Sequence, residues 1–505
     1  MDVKRMTEIA AQRGSSVNSS DSSVRKYDYV LNLCRKYISE RSELFRNLEP
    51  AERVAKIHEL IMAFNLQNKF IVDDCRNEDG SSDTTKLLER LTDSIQNYGK
   101  LTEAMEDDRV YEIRGNGKYI KVEKAGRCQD LRDQEGNLIC FDTPEEQEVI
   151  MRKMLGDVVF NPSNALVNAT TVEGYRLAAT HSSVCGVDPN EPPGTGQYHT
   201  FVLRKFKKAK MGLPDIARGH TISDNMARLF ALFMRGGIAF FTCGPTASGK
   251  STTNNAIIQE VPVDKRLVLL QNVSEIDGRI RDATGRVIND VVHLEYRDIP
   301  NAGPHDPTQA NMTDQILRFS PNFIVFGEWR SDIEFKKGMQ LGEAGHPLNT
   351  TLHAEDSLGA IKRVQTAYLA ESGNQPADLA LANICGVVNF IIIQHILADN
   401  SRRVLQVTEV CGVDEHNPNM PKLNDIFVYK FNGKPKYNPD GTVKEIPGYH
   451  QRVGKISART IEKFKRAGIT ESQYDFLLKD PSTNEKETYT GENIHNYGIS
   501  KEDLA

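Results

Sequence analysis

The chain has 505 residues, a formal net charge of −6, and ordinary proportions of hydrophobic (39%) and charged (26%) residues. A typical domain holds about 100 to 200 residues, so two to four domains are expected, each large enough to bury a core. The acidic balance excludes a general attraction to nucleic acid or anionic lipid, and the scattered cysteines, with no C-x-x-C pair, indicate a reduced, cytosolic protein rather than a zinc knuckle.

The N-terminal part of the chain is predicted to contain a disordered tail, a helical region and a small α+β domain. Residues 1–23 are polar and rich in serine, with no apolar signal segment, so a tail is expected there. Residues 24–100 carry apolar side chains at helical spacing. Within 101–210, the alternating segment 109–124 around Gly-Asn-Gly predicts a β-hairpin, and 143–155 begins with helix N-terminal signals.

The C-terminal part is predicted to hold an α/β core. Residues 211–219 indicate a linker, and from 220 to 411 apolar strand candidates such as GGIAFFTC and NFIVFGE alternate with helical stretches, which is typical of a parallel sheet. The most apolar stretches are too short, or interrupted by Arg235, to span the roughly 20 residues of a bilayer. Residues 412–505 contain several turn signals and are expected to form a small mixed region.

One segment of this core, GPTASGKS, matches the phosphate-binding P-loop pattern G-x-x-x-x-G-K-[ST]. It follows an apolar strand candidate and precedes a helix, which is the context that phosphate binding requires. Gly244 and Gly249 let backbone N–H groups close around a phosphate, while Lys250 neutralises its charge and Ser251 ligates Mg²⁺. The nucleotide-binding segment is predicted to comprise Gly244, Pro245, Thr246, Ala247, Ser248, Gly249, Lys250, Ser251 and Thr252.

Two downstream segments add candidates for catalysis. NFIVFGEWR is an apolar strand that ends in an acid, the Walker B arrangement, so Glu328 is the first catalytic candidate because it can reach a γ-phosphate through Mg²⁺ or the attacking water. GHPLNTTLHA places His346 and His353 on either side of a strand. A metal site at this pair is disfavoured because no cysteine or third histidine lies at ligand spacing, whereas a purely structural role for both histidines stays open.

Together these segments resemble the secretion-ATPase superfamily of type II and type IV secretion, conjugation and type IV pili. The segments EGYRLAATHSSV, FVLRKFKKAKMGLPDI and LNDIFVYKF are similar to the CpaF-like, Tad-pilus branch, and the four-cysteine zinc insert of type II members is missing. Transferases that modify tRNA share the GPTASGK wording, but they carry it near the N-terminus, whereas more than two hundred residues precede it here. The resemblance implies a RecA-like P-loop NTPase core with a predominantly parallel sheet, preceded by a smaller, PAS-like α+β domain and a helical N-terminal region.

The resemblance also implies roles for individual residues. It makes Lys250 and Ser251 the phosphate and Mg²⁺ contacts and Glu328 the Walker B acid. It further makes His346 and His353 the His-box pair, with His353 in the catalytic set.

Several arginines also fall where the family places them. Arg176 and Arg204, in the N-terminal α+β domain, are candidates for arginines that reach a bound nucleotide. Arg318, Arg330 and Arg363 are further candidates for contact with phosphate or with a neighbouring subunit, and the sequence does not separate these two roles.

The sequence departs from the family at residues 271–275, Gln-Asn-Val-Ser-Glu, where the family usually has Glu-Asp-x-x-Glu. Amides cannot act as general bases and bind Mg²⁺ weakly, so water activation is expected to depend on Glu275 and Glu328, or turnover is slow. Gln271 and Asn272 therefore motivate an alternative hypothesis, an ATP-binding regulatory or assembly subunit with weak or no hydrolysis.

The resemblance thus implies a hexameric motor that uses ATP and Mg²⁺ and converts hydrolysis into domain motion in a bacterial or archaeal secretion, conjugation or pilus machine. The implied partners are further copies of the chain and inner-membrane platform or secretion-channel proteins, which would hold it peripherally at the inner, cytoplasmic face of the cell membrane. Direct nucleic-acid binding is not expected because no basic stripe interleaved with aromatic residues is present.

Overall fold

The computed structural model describes residues 24–494 apart from 42–43, 45–49, 74, 78–80, 125, 157, 172, 187–197, 206–210, 273–274, 297–302, 304–305, 373–374, 483–486 and 493. The predicted tail at residues 1–23 therefore lies outside the described residues. The chain divides into two compact units, Met1–Lys208 and Ala209–Ala505. Each is described by itself.

The first unit begins with a small helical cluster and a two-stranded parallel sheet. Its elements are β1 (Val24–Arg25), α1 (Tyr27–Ser39), α2 (Pro50–Asn68), β2 (Ile71–Val72) and α3 (Thr84–Gln96). The three helices each turn apolar side chains, among them Val30, Ile61 and Leu91, into one shared core. This confirms the helical region predicted from the spacing of apolar residues.

The rest of the first unit is a six-stranded antiparallel sheet with accompanying helices. Its elements are α4 (Thr102–Glu106), β3 (Val110–Asn116), β4 (Tyr119–Lys124), β5 (Arg127–Asp130), α5 (Pro144–Leu155), β6 (Leu166–Thr170), β7 (Arg176–Thr180) and β8 (Thr200–Arg204), in the spatial order β5-β4-β3-β8-β7-β6. The predicted hairpin is β3–β4, which turns at Gly117 with a φ of 64°. Thr143 caps α5 by accepting a hydrogen bond from the backbone N–H of Glu146 at 3.2 Å. The predicted α+β domain is therefore present.

The second unit is built on one nine-stranded sheet. Its elements in chain order are α6 (Leu213–Arg218), α7 (Asp224–Arg235), β9 (Phe240–Cys243), α8 (Lys250–Ile258), β10 (Leu267–Gln271), β11 (Val291–Glu295), α9 (Gln309–Ile316), β12 (Phe323–Phe326), α10 (Asp332–Glu343), β13 (Leu348–Leu352), α11 (Ser357–Ser372), α12 (Ala377–Val387), β14 (Phe390–Ile396), β15 (Arg402–Val413), β16 (Pro421–Phe431), β17 (Lys436–Tyr437), β18 (Val443–Glu445), β19 (Gly448–Arg452), α13 (Ala458–Arg466) and α14 (Glu471–Tyr474). The strand order is β11-β10-β12-β13-β9-β14-β15-β16-β19. Neighbours from β11 to β14 are parallel, and those from β14 to β19 are antiparallel.

Both faces of this sheet are buried, as a parallel sheet requires. Phe240 and Ile392 point into one apolar core, whereas their chain neighbours Phe241 and Ile391 point into the other. The strand β13 lies between β9, which leads into the P-loop, and β12, which leads into the Walker B segment. This is the predicted P-loop NTPase core with a predominantly parallel sheet. Within the described ranges, no helix combines the length and the apolar character needed to cross a bilayer.

Two predicted boundaries differ from the structure. Residues 211–219, interpreted as a linker, contain the helix α6, whose Leu213, Ile216 and Ala217 are buried in the core of the second unit. The helix was missed because it is only six residues long. The expected C-terminal region after residue 411 does not start a separate structure, because β15 runs across that boundary and β16 and β19 continue the same sheet.

Candidate functional site

The carboxyl ends of four neighbouring parallel strands meet at one edge of the large sheet. The P-loop follows β9, Glu328 follows β12 and His353 follows β13, while Gln271 ends β10. The backbone N–H of Gly244 donates to the carbonyl of Leu352 at 3.3 Å, which joins the start of the P-loop to the residue before His353. We call this the carboxyl edge of the sheet.

The P-loop backbone depends on its glycines. Gly244 has a φ of 145° and Gly249 a φ of 95°, backbone conformations that residues other than glycine rarely adopt. A Cβ atom at Gly244 would also lie 1.9 Å from the carbonyl oxygen of Gln394 on β14. The motif therefore needs glycine both for its turn and for its close approach to the next strand.

The N-terminus of α8 is suited to an anion. Gly249 at its N-cap has no side chain to accept the first N–H groups, and the first turn of the helix contains no acidic residue. These N–H groups and the positive end of the helix dipole are the features that bind phosphate in such loops. The Lys250 ammonium is buried within the same loop, where it donates to the carbonyls of Gly244 at 2.8 Å and Pro245 at 2.9 Å.

Ser251 and Glu275 form the first of two side-chain pairs at this edge. The Ser251 hydroxyl donates to Oε2 of Glu275 at 3.0 Å. A hydroxyl and a carboxylate are both oxygen donors of the kind that Mg²⁺ prefers. The structure thus brings together two residues that lie 24 positions apart in the sequence.

Glu328 and His353 form the second pair. Nε2 of His353 lies 3.0 Å from Oε1 of Glu328, and the other oxygen of Glu328 accepts from Nε and a terminal nitrogen of Arg330 at 2.9 and 2.7 Å. Arg363 donates to the carbonyl of His353 at 2.9 Å. Both Glu328 oxygens are therefore held by cationic or imidazole groups, although the side chain of Glu328 remains 22% exposed.

Other predicted residues lie elsewhere. His346 precedes β13 at the opposite edge of the sheet, where its Nδ1 lies 3.2 Å from the carbonyl of Pro321. Arg318 is exposed in a short turn before β12, at that same opposite edge. Arg176 and Arg204 are directly paired across β7 and β8 of the first unit, with Arg204 exposed. Their contact with a nucleotide stays a prediction.

Sequence reasoning missed the residues that hold the P-loop from outside. Nε2 of Gln394 donates to the carbonyl of Ser248 at 2.9 Å, and Nε of Arg402 donates to the carbonyl of Ala247 at 3.1 Å. Gln394 could have been found because it is a buried polar residue that interrupts an apolar strand. The sequence around Arg402 shows no comparable pattern that would indicate a contact with the P-loop.

In the part of the chain that the structure describes, no group of three or more His, Cys, Asp or Glu side chains could hold a metal ion by itself.

The fold and the carboxyl edge define a P-loop NTPase. More particularly, the chain belongs to the Type II/IV secretion system protein family, whose model matches residues 192–464, just over half of the chain. The narrower assignment to the CpaF-like branch stays a prediction.

Curated relatives cover parts of the chain. An uncharacterised protein of Methanocaldococcus jannaschii is 27% identical over 265 residues, 52% of this chain and 43% of the relative. The conjugal transfer protein TrbB of Rhizobium radiobacter is 24% identical over 216 residues, 42% of this chain and 60% of the relative. Type II secretion system protein E of Klebsiella pneumoniae is 33% identical over 167 residues, 32% of this chain and 30% of the relative. The chain thus spans less than half the length of the first of these relatives.

Solved structures give looser likenesses. The ATPase DotB of Legionella pneumophila has a TM-score of 0.45 and 21% identity, with 63% of this chain and 83% of that chain covered. The pilus retraction motor PilT with bound ADP has a TM-score of 0.42 and 16% identity, with 81% of this chain and 96% of that chain covered.

Proposed function

We propose that the chain hydrolyses ATP and acts as a motor of a secretion, conjugation or pilus machine. The observation that supports this most is the carboxyl edge, where the P-loop and the two pairs Ser251–Glu275 and Glu328–His353 follow neighbouring strands. Family membership supports the type of machine, because curated relatives are named for conjugal transfer and type II secretion.

Each residue has a proposed task. The N–H groups of the P-loop and the start of α8 hold the phosphates, and Lys250 turns from the loop carbonyls toward the phosphate charge. Ser251 would hold Mg²⁺ together with the phosphates, and the ion would supply charge neutralisation. Glu275 and Glu328 orient the attacking water or accept its proton, and His353 keeps the Glu328 carboxylate in place.

The wider setting is also part of the proposal. We expect a homo-hexamer in the cytoplasm that attaches peripherally to the inner face of the membrane through platform or secretion-channel proteins. We expect hydrolysis to drive domain motion, and Arg176 and Arg204 to reach the nucleotide in the assembled ring.

Phosphate release by the purified full-length protein, with ATP and Mg²⁺, tests the enzymatic part. Lys250→Ala and Glu328→Gln are each expected to lower turnover by about 100-fold or more, since each removes charge stabilisation or water positioning at the phosphates. Lys265→Ala is the matched control, because Lys265 pairs with Asp264 at the surface. An inactive wild-type protein, or turnover that survives both site variants, would overturn the proposal.

A second candidate is a regulatory or assembly subunit that binds ATP with weak or no hydrolysis. It is favoured by the amides Gln271 and Asn272 at positions where the family usually has acids. Tight nucleotide binding without turnover, together with turnover gained by Gln271→Glu and Asn272→Asp, would support this candidate over the motor.

A further inference from the structure

The side chain of Gln271 is engaged at both ends of its amide. Its Nε2 donates to the carbonyl of Ile276 at 2.8 Å, and its Oε1 accepts from the backbone N–H of the same residue at 3.1 Å. One amide therefore joins the end of β10 to the backbone of Ile276, five positions further along the chain. We call this pair of hydrogen bonds the Gln271 clamp.

The surroundings of Gln271 leave little room for another arrangement. The residue is 2% exposed, and a Cβ atom on Gly327 of the neighbouring chain segment would lie 2.8 Å from Cβ of Gln271. The absence of a side chain at Gly327 thus makes space for the clamp. A buried amide whose donor and acceptor are both satisfied stabilises one position of the backbone that it contacts, here that of Ile276.

The clamp fixes the backbone beside Glu275. Ile276 directly follows Glu275, and Oε2 of Glu275 accepts the Ser251 hydroxyl at 3.0 Å. A shift of Ile276 would therefore move the carboxylate relative to the P-loop. We infer that Gln271 is a positioning residue, whose amide holds Glu275 against Ser251 for the hydrolysis step.

The chemistry of the clamp requires an amide. A carboxylate of the same shape could accept from the Ile276 N–H, but it would place a second oxygen against the Ile276 carbonyl, where a donor is needed. The inference rests on the proposed ATPase function, yet it opposes the regulatory candidate on one point. That candidate expects Gln271→Glu to contribute to a gain of turnover, whereas the clamp predicts a loss.

The test compares Gln271→Glu with the wild-type protein in phosphate release from pH 6 to pH 9. At the alkaline end, kcat of the variant is expected to fall by about tenfold relative to wild type. There the introduced carboxylate is ionised, so its second oxygen faces the Ile276 carbonyl with no hydrogen to donate. Toward the acidic end the introduced carboxyl takes up a proton and can donate again, so the ratio to wild type should recover. Negative charge near position 271 favours this protonation. Glu295 is the register partner of position 271 on β11, Glu275 follows four positions along the chain, and Glu328 is next to Gly327.

Two measurements separate positioning from loss of structure. Hydrogen exchange at fixed alkaline pH should be faster around residues 275–278 in Gln271→Glu, and unchanged in Gln365→Glu, a matched amide-to-acid control whose Nε2 donates to the Ala377 carbonyl at the surface. In a Glu275→Gln background, Gln271→Glu should cause no further loss of kcat, since the two residues act through the same carboxylate.

The outcomes are distinct. If the wild-type enzyme is active and Gln271→Glu has the same kcat at every pH value, only the positioning role is overturned. A fully additive loss in the Glu275→Gln background assigns the effect of Gln271 to general stability and also overturns it. Absence of turnover in the wild-type protein overturns the proposed function and the positioning role together.

Discussion

Similar residues make different contacts at the two edges of the parallel sheet. At the carboxyl edge, His353 contacts Glu328 next to the P-loop strand. At the opposite ends of the parallel strands, which we call the amino edge, Nδ1 of His346 lies 3.2 Å from the backbone carbonyl of Pro321. The two histidines flank one five-residue strand, whose backbone alone spans about 16 Å. The candidate catalytic residues lie where the parallel strands end, and two residues that are close in the sequence need not contact the same group.

The largest difference in kcat between the two edges is expected when one carboxylate at each edge is replaced by an amide. Glu275→Gln at the carboxyl edge should lower kcat by about 100-fold, because an amide cannot accept a proton from water. Glu343→Gln near the amino edge is the matched control, since the Tyr368 hydroxyl that donates to Glu343 at 2.8 Å can donate equally to an amide oxygen. Steady-state phosphate release measures both, and equal losses would remove the distinction between the edges.

The next effect concerns α10, which runs from the carboxyl edge to the amino edge. Trp329, the residue after Glu328, is fully buried, and a Cβ atom at Gly338 of α10 would lie 2.0 Å from its ring. Gly338→Ala gains up to about 1 kcal/mol of helix propensity but forces a rigid ring to move, which costs about 1 to 3 kcal/mol. We expect a net loss of about 1 to 2 kcal/mol in the free energy of unfolding.

Chemical denaturation measures this loss. The double variant Gly338→Ala with Trp329→Leu provides the control, because the smaller side chain gives the new methyl group space and should show less than the additive loss. A Gly338→Ala protein as stable as the wild type would mean that the helix can shift away from Trp329 at no cost.

Most of the core could be predicted from the sequence because its signals are local. The apolar runs, the P-loop glycines and the strand-ending acid at Glu328 each depend on a few consecutive residues. The strands β9 and β12 lie within the predicted runs GGIAFFTC and NFIVFGE. By contrast, the short helix α6 is decided by packing against the core. The predicted boundary after residue 411 divided β15, although the pairing of β15 with β16 continues across it.

The arrangement of the candidate site could be predicted only in part, for the same physical reason. Lys250, Ser251 and Glu328 belong to local motifs, but the Ser251–Glu275 contact depends on how β10 lies next to its neighbours. Gln271 was interpreted as a missing acid, since sequence shows the residue type and not its hydrogen bonds. Only the fold shows that both ends of its amide are used.

A smaller effect is expected from the histidines themselves. His353→Ala should lower kcat by about tenfold, because Glu328 then loses one of the groups that hold its carboxylate. His346→Ala should leave kcat within about twofold and cost only the stability of one partly buried hydrogen bond, about 1 kcal/mol. Matched losses of kcat in both variants would show that the His box acts as a unit despite its separation.

The smallest effect distinguishes two exposed arginines. Arg330 forms an ion pair with Glu328, but its side chain is 54% exposed, and ion pairs of this kind contribute little in water. Arg330→Ala should therefore lower kcat by only about two- to fivefold. Arg318→Ala, at the amino edge, should leave the activity of the isolated protein unchanged. If Arg318→Ala instead lowers turnover only at protein concentrations that favour assembly, Arg318 acts at a contact between subunits, and the amino edge has a function that becomes visible in the oligomer.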